Sequence, residues 1–378
     1  HCLFHSSNRP KPFYLKKLLL LPILVATILV GCKKSSDPVP VPPPTPEPAL
    51  YFPPVGSTSW ETTSPATLGW TDAQLNDLYS YLQTKNTKAF IILKNGKIVV
   101  EKYFGSFTAD SNWYWASAGK TVTAMLTGIA QQEGLLNINH KTSQYLGAGW
   151  TSLPAAKEDL ITIRHQLTMT SGLDDNVPDD DCTLPSCLTY KADAGTRWAY
   201  HNAPYTLLDK VVESASGISY NAYFQEKIRN KIGMSGVWLR NGYNNVLYST
   251  PRSMARFGLL MLNKGKWDQT PILNDSVYFN AQVNSSQGLN QSYGYLTWLN
   301  GKSTHMLPTL QTVFSGALVP TAPADMYAAL GKNDQKVYVV PSQKIVVIRM
   351  GESAGNIQLA VSSFDSELWG KLKPIFGY

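Results

Sequence analysis

The chain has 378 residues and a composition ordinary for a globular protein, enough to bury a substantial core in one large or two small domains. Its formal charge of +7 is concentrated at one end. Arg9, Lys11, Lys16, Lys17, Lys33 and Lys34 supply six positive charges in a stretch without acids, leaving +1 for the rest and no basic footprint for nucleic acid.

Lys16 and Lys17 precede an apolar run over residues 18–31 that closes as Leu29-Val30-Gly31-Cys32. The run falls short of the ~20 residues a spanning helix needs and contains Pro22, which favours a secretion signal over a permanent anchor. The segment resembles a bacterial lipoprotein signal with its lipobox. That resemblance implies removal of residues 1–31, a lipid on Cys32, and a mature protein tethered on the periplasmic or cell-surface side of a membrane. Residues 38–54 are rich in proline, which lacks an N–H donor and fixes φ, so this stretch forms neither helix nor central strand; residues 32–54 are expected to be a stiff linker.

The domain expected over 55–378 opens with a helix: Leu75, Leu78, Tyr79 and Leu82 share a face, and Thr71 with Gln74 makes a capping box. A hairpin follows, with two β-rich runs around Asn95-Gly96, a dipeptide that tolerates the positive φ of a tight turn. Next comes Asn112-Trp113-Tyr114-Trp115-Ala116-Ser117, leading into a helix whose Val122, Met125, Leu126 and Ile129 bury one face before Gly134. The chain over 135–324 reads as mostly helical, with segments ending at Gly217 and Gly233. Two β-branched runs around Pro341-Ser342 and a closing helix complete the chain. Strands at both ends with helices between predict an α+β fold: an antiparallel sheet from 55–134 and 325–378, flanked by helices, with an inserted helical subdomain.

Ser117 and Lys120 form an S-x-x-K pair, three residues apart on one helix face. At the first turn of a helix the leading N–H groups lack intrahelical partners and the macrodipole favours negative charge, so a serine there can attack a carbonyl while its own N–H donates to the oxyanion. Tyr200-His201-Asn202 supplies a Y-x-N, a pattern that also occurs at Tyr243 and Tyr278 and so does not by itself single out Tyr200. The rings of Trp113, Tyr114 and Trp115, and of Tyr293, Tyr295 and Trp298, are candidate walls of an apolar pocket.

With these motifs the chain resembles the class C β-lactamase and penicillin-binding family of serine hydrolases from about residue 70 to 378. The 161–175 segment is similar to that family's connecting segment. The resemblance implies a β-lactamase/DD-peptidase-like fold, an acyl-enzyme on Ser117, Lys120 and Tyr200 as proton-handling partners, and Asn202 as a contact to a substrate amide. It also implies Lys332 as an electrostatic partner and the Gln335 N–H as a second oxyanion donor. Lys120 and Lys332 near Tyr200 would favour phenolate, and crowded ammonium groups would favour a neutral lysine. The third motif, Lys332-Asn333-Asp334, departs from the family's K/H-T/S-G. The departure adds bulk and a negative charge beside the pocket, and in a strand Lys332 and Asp334 would share a face and could pair. The expected activity is therefore cleavage of an ester or amide in a small substrate, with no cofactor and no metal. The alternatives are a DD-peptidase or β-lactamase-type enzyme, or a ligand- or cell-wall-recognising lipoprotein without turnover.

Cys182 and Cys187 are expected to pair in an exported chain, closing a short loop for about 2 kcal/mol. The acidic residues Asp174, Asp175, Asp179, Asp180 and Asp181 lack regular calcium-loop spacing and read as a solvated loop at the site entrance. Ser353, in Gly351-Glu352-Ser353-Ala354-Gly355, is a rival nucleophile by pattern, but no histidine follows it as that chemistry requires.

Overall fold

The computed structural model describes residues 49–378. The expected signal peptide, lipidation at Cys32 and the linker up to residue 48 lie outside the described residues. Part of the expected linker is not a spacer. Tyr51 donates its N–H to Asn95 O at 2.9 Å, and the Arg256 guanidinium binds the carbonyls of Pro54 and Ser57, both at 3.1 Å. Proline gives up its donor but keeps its acceptor, so a cation can hold a proline-rich segment onto the domain.

The main sheet has six strands in the spatial order Lys97–Tyr103, Thr87–Lys94, Ile345–Gly351, Gln335–Val340, Tyr327–Gly331, Trp298–Leu299, with every neighbouring pair antiparallel. The first hairpin turns at Asn95 and Gly96, with φ of 52° and 82°. Every residue of Gln335–Val340 and Ile345–Gly351 is buried, as in a strand covered on both faces. Adjacent residues of the former strand show the two layers. Tyr338 packs edge-on against Trp369 of the closing Ser363–Phe376 helix, while Val337 faces Gly258 of the Pro251–Leu262 helix. The opening Asp72–Thr84 helix is capped by the expected Thr71/Gln74 box and carries Leu75, Leu78 and Leu82 into the core.

The 135–324 region is not purely helical: it holds short ladders of Lys266–Trp267 with Thr270–Pro271 and of Thr304–His305 with Phe314–Ser315, and two larger departures besides. Trp298–Leu299 leaves the 135–324 region to extend the main sheet. The strands Val237–Asn241 and Asn244–Ser249 form a hairpin on which Trp113–Tyr114 adds a third strand. Elsewhere the helical reading holds: Asn202–Thr206, Leu208–Ser216 and the 220–232 segment are helical, and Gly217 and Gly233 end them at positive φ. Among the described residues, no helix is long and apolar enough to cross a membrane.

Candidate active site

The turn that carries Ser117 is pinned from two sides. Trp113 and Tyr114 pair with Ser249 and Tyr248, and Trp115 donates its backbone N–H to Leu247 O at 2.8 Å. The Trp115 indole is wholly buried and donates to Ser249 Oγ at 2.8 Å. Ala116 then takes φ 46°, a left-handed conformation that costs a non-glycine residue roughly 1–2 kcal/mol and persists because its neighbours are fixed. Ser117 follows in a 3₁₀ turn, Ala116–Ala118, that runs directly into the Gly119–Gln132 helix.

One turn on, the Lys120 Nζ donates to Ser117 Oγ at 2.8 Å and to Asn202 Oδ1 at 2.7 Å. The lysine is buried, with its Nζ 4.3 Å from the ring centre of Tyr205 and 4.9 Å from that of Tyr200. Loss of hydration disfavours the ammonium and lowers its pKa to about 7, while the charges of Asp181 and Asp180 offset part of that fall. Burial is thus the cause, in place of the second ammonium expected from sequence.

The Tyr200 phenol is enclosed, and its hydroxyl stands near Ser117 without completing a hydrogen bond. Burial raises its pKa above the usual phenol value, and the Ser117 hydroxyl and the Trp298 indole pull it back only in part. Tyr200 is therefore a neutral phenol, which corrects the expectation of a phenolate. Tyr293 and Trp298 form the bed behind it, with the Trp298 ring 5.5 Å from that of Tyr200, and the buried Tyr295 accepts from Arg164. None of the three lines the cleft.

The cleft measures about 360 Å³, and Ser117, Lys120, Asn202, Lys332 and Asn333 all line it. Much of its wall is carboxamide and phenol: Asn244, Asn245 and Tyr248 come from the hairpin and Tyr114 from the strand beside it. An apolar pocket walled by Trp113 is not what forms. Trp113 turns away to donate its indole N–H to Gly351 O at 3.1 Å, alternation along the strand having placed Tyr114 on the cleft side instead.

The third motif is a turn between strands. Lys332–Asp334 joins Tyr327–Gly331 to Gln335–Val340, with Asn333 and Asp334 at φ 57° and 60°. Lys332 and Asp334 accordingly do not share a face. Lys332 is exposed at the cleft and makes no ion pair among the described residues. Asp334 is buried, accepting from Ser362 Oγ at 2.6 Å and Ala354 N at 3.0 Å, with Lys336 Nζ at 3.3 Å. The expected negative charge beside the pocket is therefore taken up inside the protein, and only the bulk of Asn333 reaches the cleft, where its Nδ2 donates to the Tyr114 hydroxyl at 2.8 Å. Gln335 is fully buried, its side chain clamping the N–H and carbonyl of Gly351, and it does not line the cleft.

Gly331 explains how closely this strand approaches the nucleophile. A Cβ at 331 would lie 2.4 Å from Trp115 O and 3.1 Å from Ser117 N, so only glycine leaves room for the two backbones.

Asp181 is the residue that sequence reasoning placed in a solvated loop and that the fold puts to use. It accepts from Asn202 Nδ2 and from Asn244 Nδ2, both at 2.8 Å, tying the Y-x-N segment to the hairpin. The adjoining Cys182–Cys187 disulfide closes its loop as expected. A signal for the hairpin was present in Asn241-Gly242, flanked by β-rich runs, and in the second Y-x-N, whose Asn245 lines the cleft. Ser353 donates to Gly355 O at 2.6 Å in a surface turn and takes no part in the site.

A sequence model of the beta-lactamase family matches residues 83–364. Penicillin-binding protein 4* of Bacillus subtilis is 28% identical over 136 residues, which cover 32% of this chain and 29% of that protein. The match thus spans less than a third of that relative's length. A penicillin-binding protein homolog from Caulobacter crescentus has a similar fold, with a TM-score of 0.61 at 13% identity over 81% of this chain and 98% of its own. The octameric penicillin-binding protein homologue from Pyrococcus abyssi follows at 0.58 and 17% identity, over 81% and 78% of the two chains. With Ser117, Lys120, Asn202, Lys332 and Asn333 in one cleft and the phenol of Tyr200 enclosed outside its lining, the family match across three quarters of the chain makes this protein a member of the beta-lactamase family.

Proposed function

We propose that the chain is a serine hydrolase that cleaves an ester or amide bond in a small linear substrate through an acyl-enzyme on Ser117. The observation that carries this reading is the 2.8 Å contact between Lys120 Nζ and Ser117 Oγ, with the lysine's pKa lowered to about 7. Near neutral pH a substantial fraction of Lys120 is the free amine, so it takes the hydroxyl proton as Ser117 attacks the carbonyl carbon. Asn202 holds the amine in place through its Oδ1. The negative charge then forming on the carbonyl oxygen lies at the start of the Ser117 turn, where the Ser117 N–H beside Gly331 is the donor. Lys120, which lines the cleft, returns the proton to the leaving group, with the enclosed neutral phenol of Tyr200 standing near Ser117, and water completes the cycle by hydrolysing the acyl-enzyme.

Support for a small, linear substrate comes from the Asn333–Tyr114 hydrogen bond at the cleft surface, which narrows the space beside the serine where a fused ring would otherwise sit. We further propose that a lipid on Cys32 tethers the enzyme to a membrane surface, on the strength of the apolar run and the Leu29-Val30-Gly31-Cys32 sequence alone. A fluorophosphonate probe tests the catalytic reading. It is expected to label Ser117, and Ser117→Ala is expected to abolish hydrolysis of p-nitrophenyl acetate; retained activity in that variant refutes the assignment.

A further inference from the structure

The asparagines of the cleft are oriented by what stands behind them. A carboxylate offers only acceptors, so an asparagine bonded to one must turn its amide nitrogen toward it. The assignment of nitrogen and oxygen, ambiguous for an isolated side chain, is here fixed by chemistry. Asn244 donates Nδ2 to Asp181 Oδ2 at 2.8 Å. Asn245 donates Nδ2 to Asp209 Oδ2 at 3.0 Å, and Arg240 pairs with the same carboxylate oxygen. Asn202 donates to the other oxygen of Asp181 while its own Oδ1 is occupied by Lys120.

Two acceptors are left over. Among the described residues no donor reaches Oδ1 of Asn244 or Asn245, and neither oxygen is among the enclosed atoms without a partner, so both are open to solvent in residues that line the cleft. The wall therefore presents two unpaired carbonyl oxygens, each beside the second N–H of its own amide. Behind them stand Asp181, which also lines the cleft, and Asp180, whose charges both act on Lys120. Acceptors backed by negative charge bind a group that donates several hydrogen bonds and carries positive charge.

From this wall we infer that the substrate carries a protonated primary amine, which donates to Asn244 and Asn245 while the scissile carbonyl lies at Ser117. The exposed Lys332 lines the same cleft from the third-motif turn, outside the hairpin that carries Asn244 and Asn245. The inference deepens the hydrolase reading and rests on it for the position of the carbonyl, but the binding of the amine is independent of turnover.

The test uses the full chain carrying Ser117→Ala, titrated by calorimetry with β-alaninamide and with its N,N,N-trimethyl derivative, which has the same charge and no N–H. The expected result is at least tenfold tighter binding of the primary amine. Asn244→Ala and Asn245→Ala, each checked for folding by its melting curve, are expected to reduce that ratio to within about twofold. Equal affinity for the two cations, or no binding of either, overturns the inference. Hydrolysis of p-nitrophenyl acetate by the unmodified enzyme separates the two readings. Turnover without amine preference leaves the hydrolase standing and removes the amine subsite, whereas amine preference without turnover at Ser117 does the reverse.

Discussion

Replacing Asp181 with asparagine tests the link between the hairpin wall and Lys120, the base in the proposed reaction. Lys120 and Asp181 are joined through one amide, by hydrogen bonds of 2.7 and 2.8 Å on either side of Asn202. That places the two charges roughly 7 Å apart, where at an effective dielectric of about 20 their attraction is worth about 2 kcal/mol, or between one and two pH units. Asp181 holds the lysine's pKa up against desolvation, so removing its charge lets that pKa fall further below about 7. Asp180 keeps pulling the same way and limits the change. The assay is the pH dependence of kcat/KM for p-nitrophenyl acetate from pH 5 to 9, followed at the isosbestic wavelength so that the indicator's ionisation does not enter. In the unmodified enzyme the rate rises with pH to a midpoint near 7, because the free amine is the active form. In Asp181→Asn the midpoint moves to lower pH by about one to two units. The plateau also drops, since the new amide offers one acceptor where Asn202 and Asn244 need two. A midpoint that stays put or moves up refutes the argument, and a limb still rising without a plateau at pH 9 shows that Lys120 is not the base.

The burial of Lys120 also has a cost in stability. Its pKa is about 7 in the folded protein and about 10.4 in the unfolded chain, so between those values the unfolded state binds more protons and stability climbs with pH. Lys120→Met removes that slope and is expected to stabilise the fold most at pH 6, where the charged form is buried, by on the order of 4 kcal/mol of unfolding free energy, with little gain at pH 10; an equal change at both pH values in denaturant titrations contradicts the desolvation argument. Gly331→Ala puts a methyl 2.4 Å from Trp115 O and drives the strand away from the nucleophile turn. Because misplacement by about 1 Å costs roughly a hundredfold, kcat is expected to fall by about that factor, and a kcat within twofold of the original enzyme shows that the close approach is not needed.

Much of the fold could be read because its signals are local. The Asn95-Gly96 turn, the Thr71/Gln74 capping box, the glycines that end helices at 217 and 233, and the apolar stripe after Ser117 each depend on residues a few positions apart. Ser117, Lys120, Tyr200 and Asn202 were recoverable because two short motifs have a characteristic order and context. What escaped is set by partners far along the chain. Trp113 and Tyr114 differ in role only because alternation in a two-residue strand sends one to Gly351 and the other to the cleft, and that strand exists only through pairing with residues 248 and 249. Asp181 looks like one acid among five until Asn202 and Asn244 are brought to either side of it.

The third motif shows why such a site cannot be judged by matching residues to a pattern. Asp334 looks like a charge placed where a substrate must pass, but at φ 60° its side chain turns inward to Ser362, Ala354 and Lys336. Lys336 in turn bonds Asp365, which accepts from Tyr338 and caps the closing helix, so the aspartate belongs to a buried network that fixes the turn from behind. Arg349, also buried, adds to that hold by donating to the carbonyls of Asn333 and Asp334 at 3.0 and 2.9 Å. Removing one member of such a network is costly because it strands a charge away from water, whereas the intact network mainly fixes geometry. The altered motif has therefore exchanged a flexible glycine for an anchored turn. It leaves Lys332 exposed at the cleft, without an ion pair among the described residues, and Asn333 bonded to Tyr114 on a turn held by the network behind it.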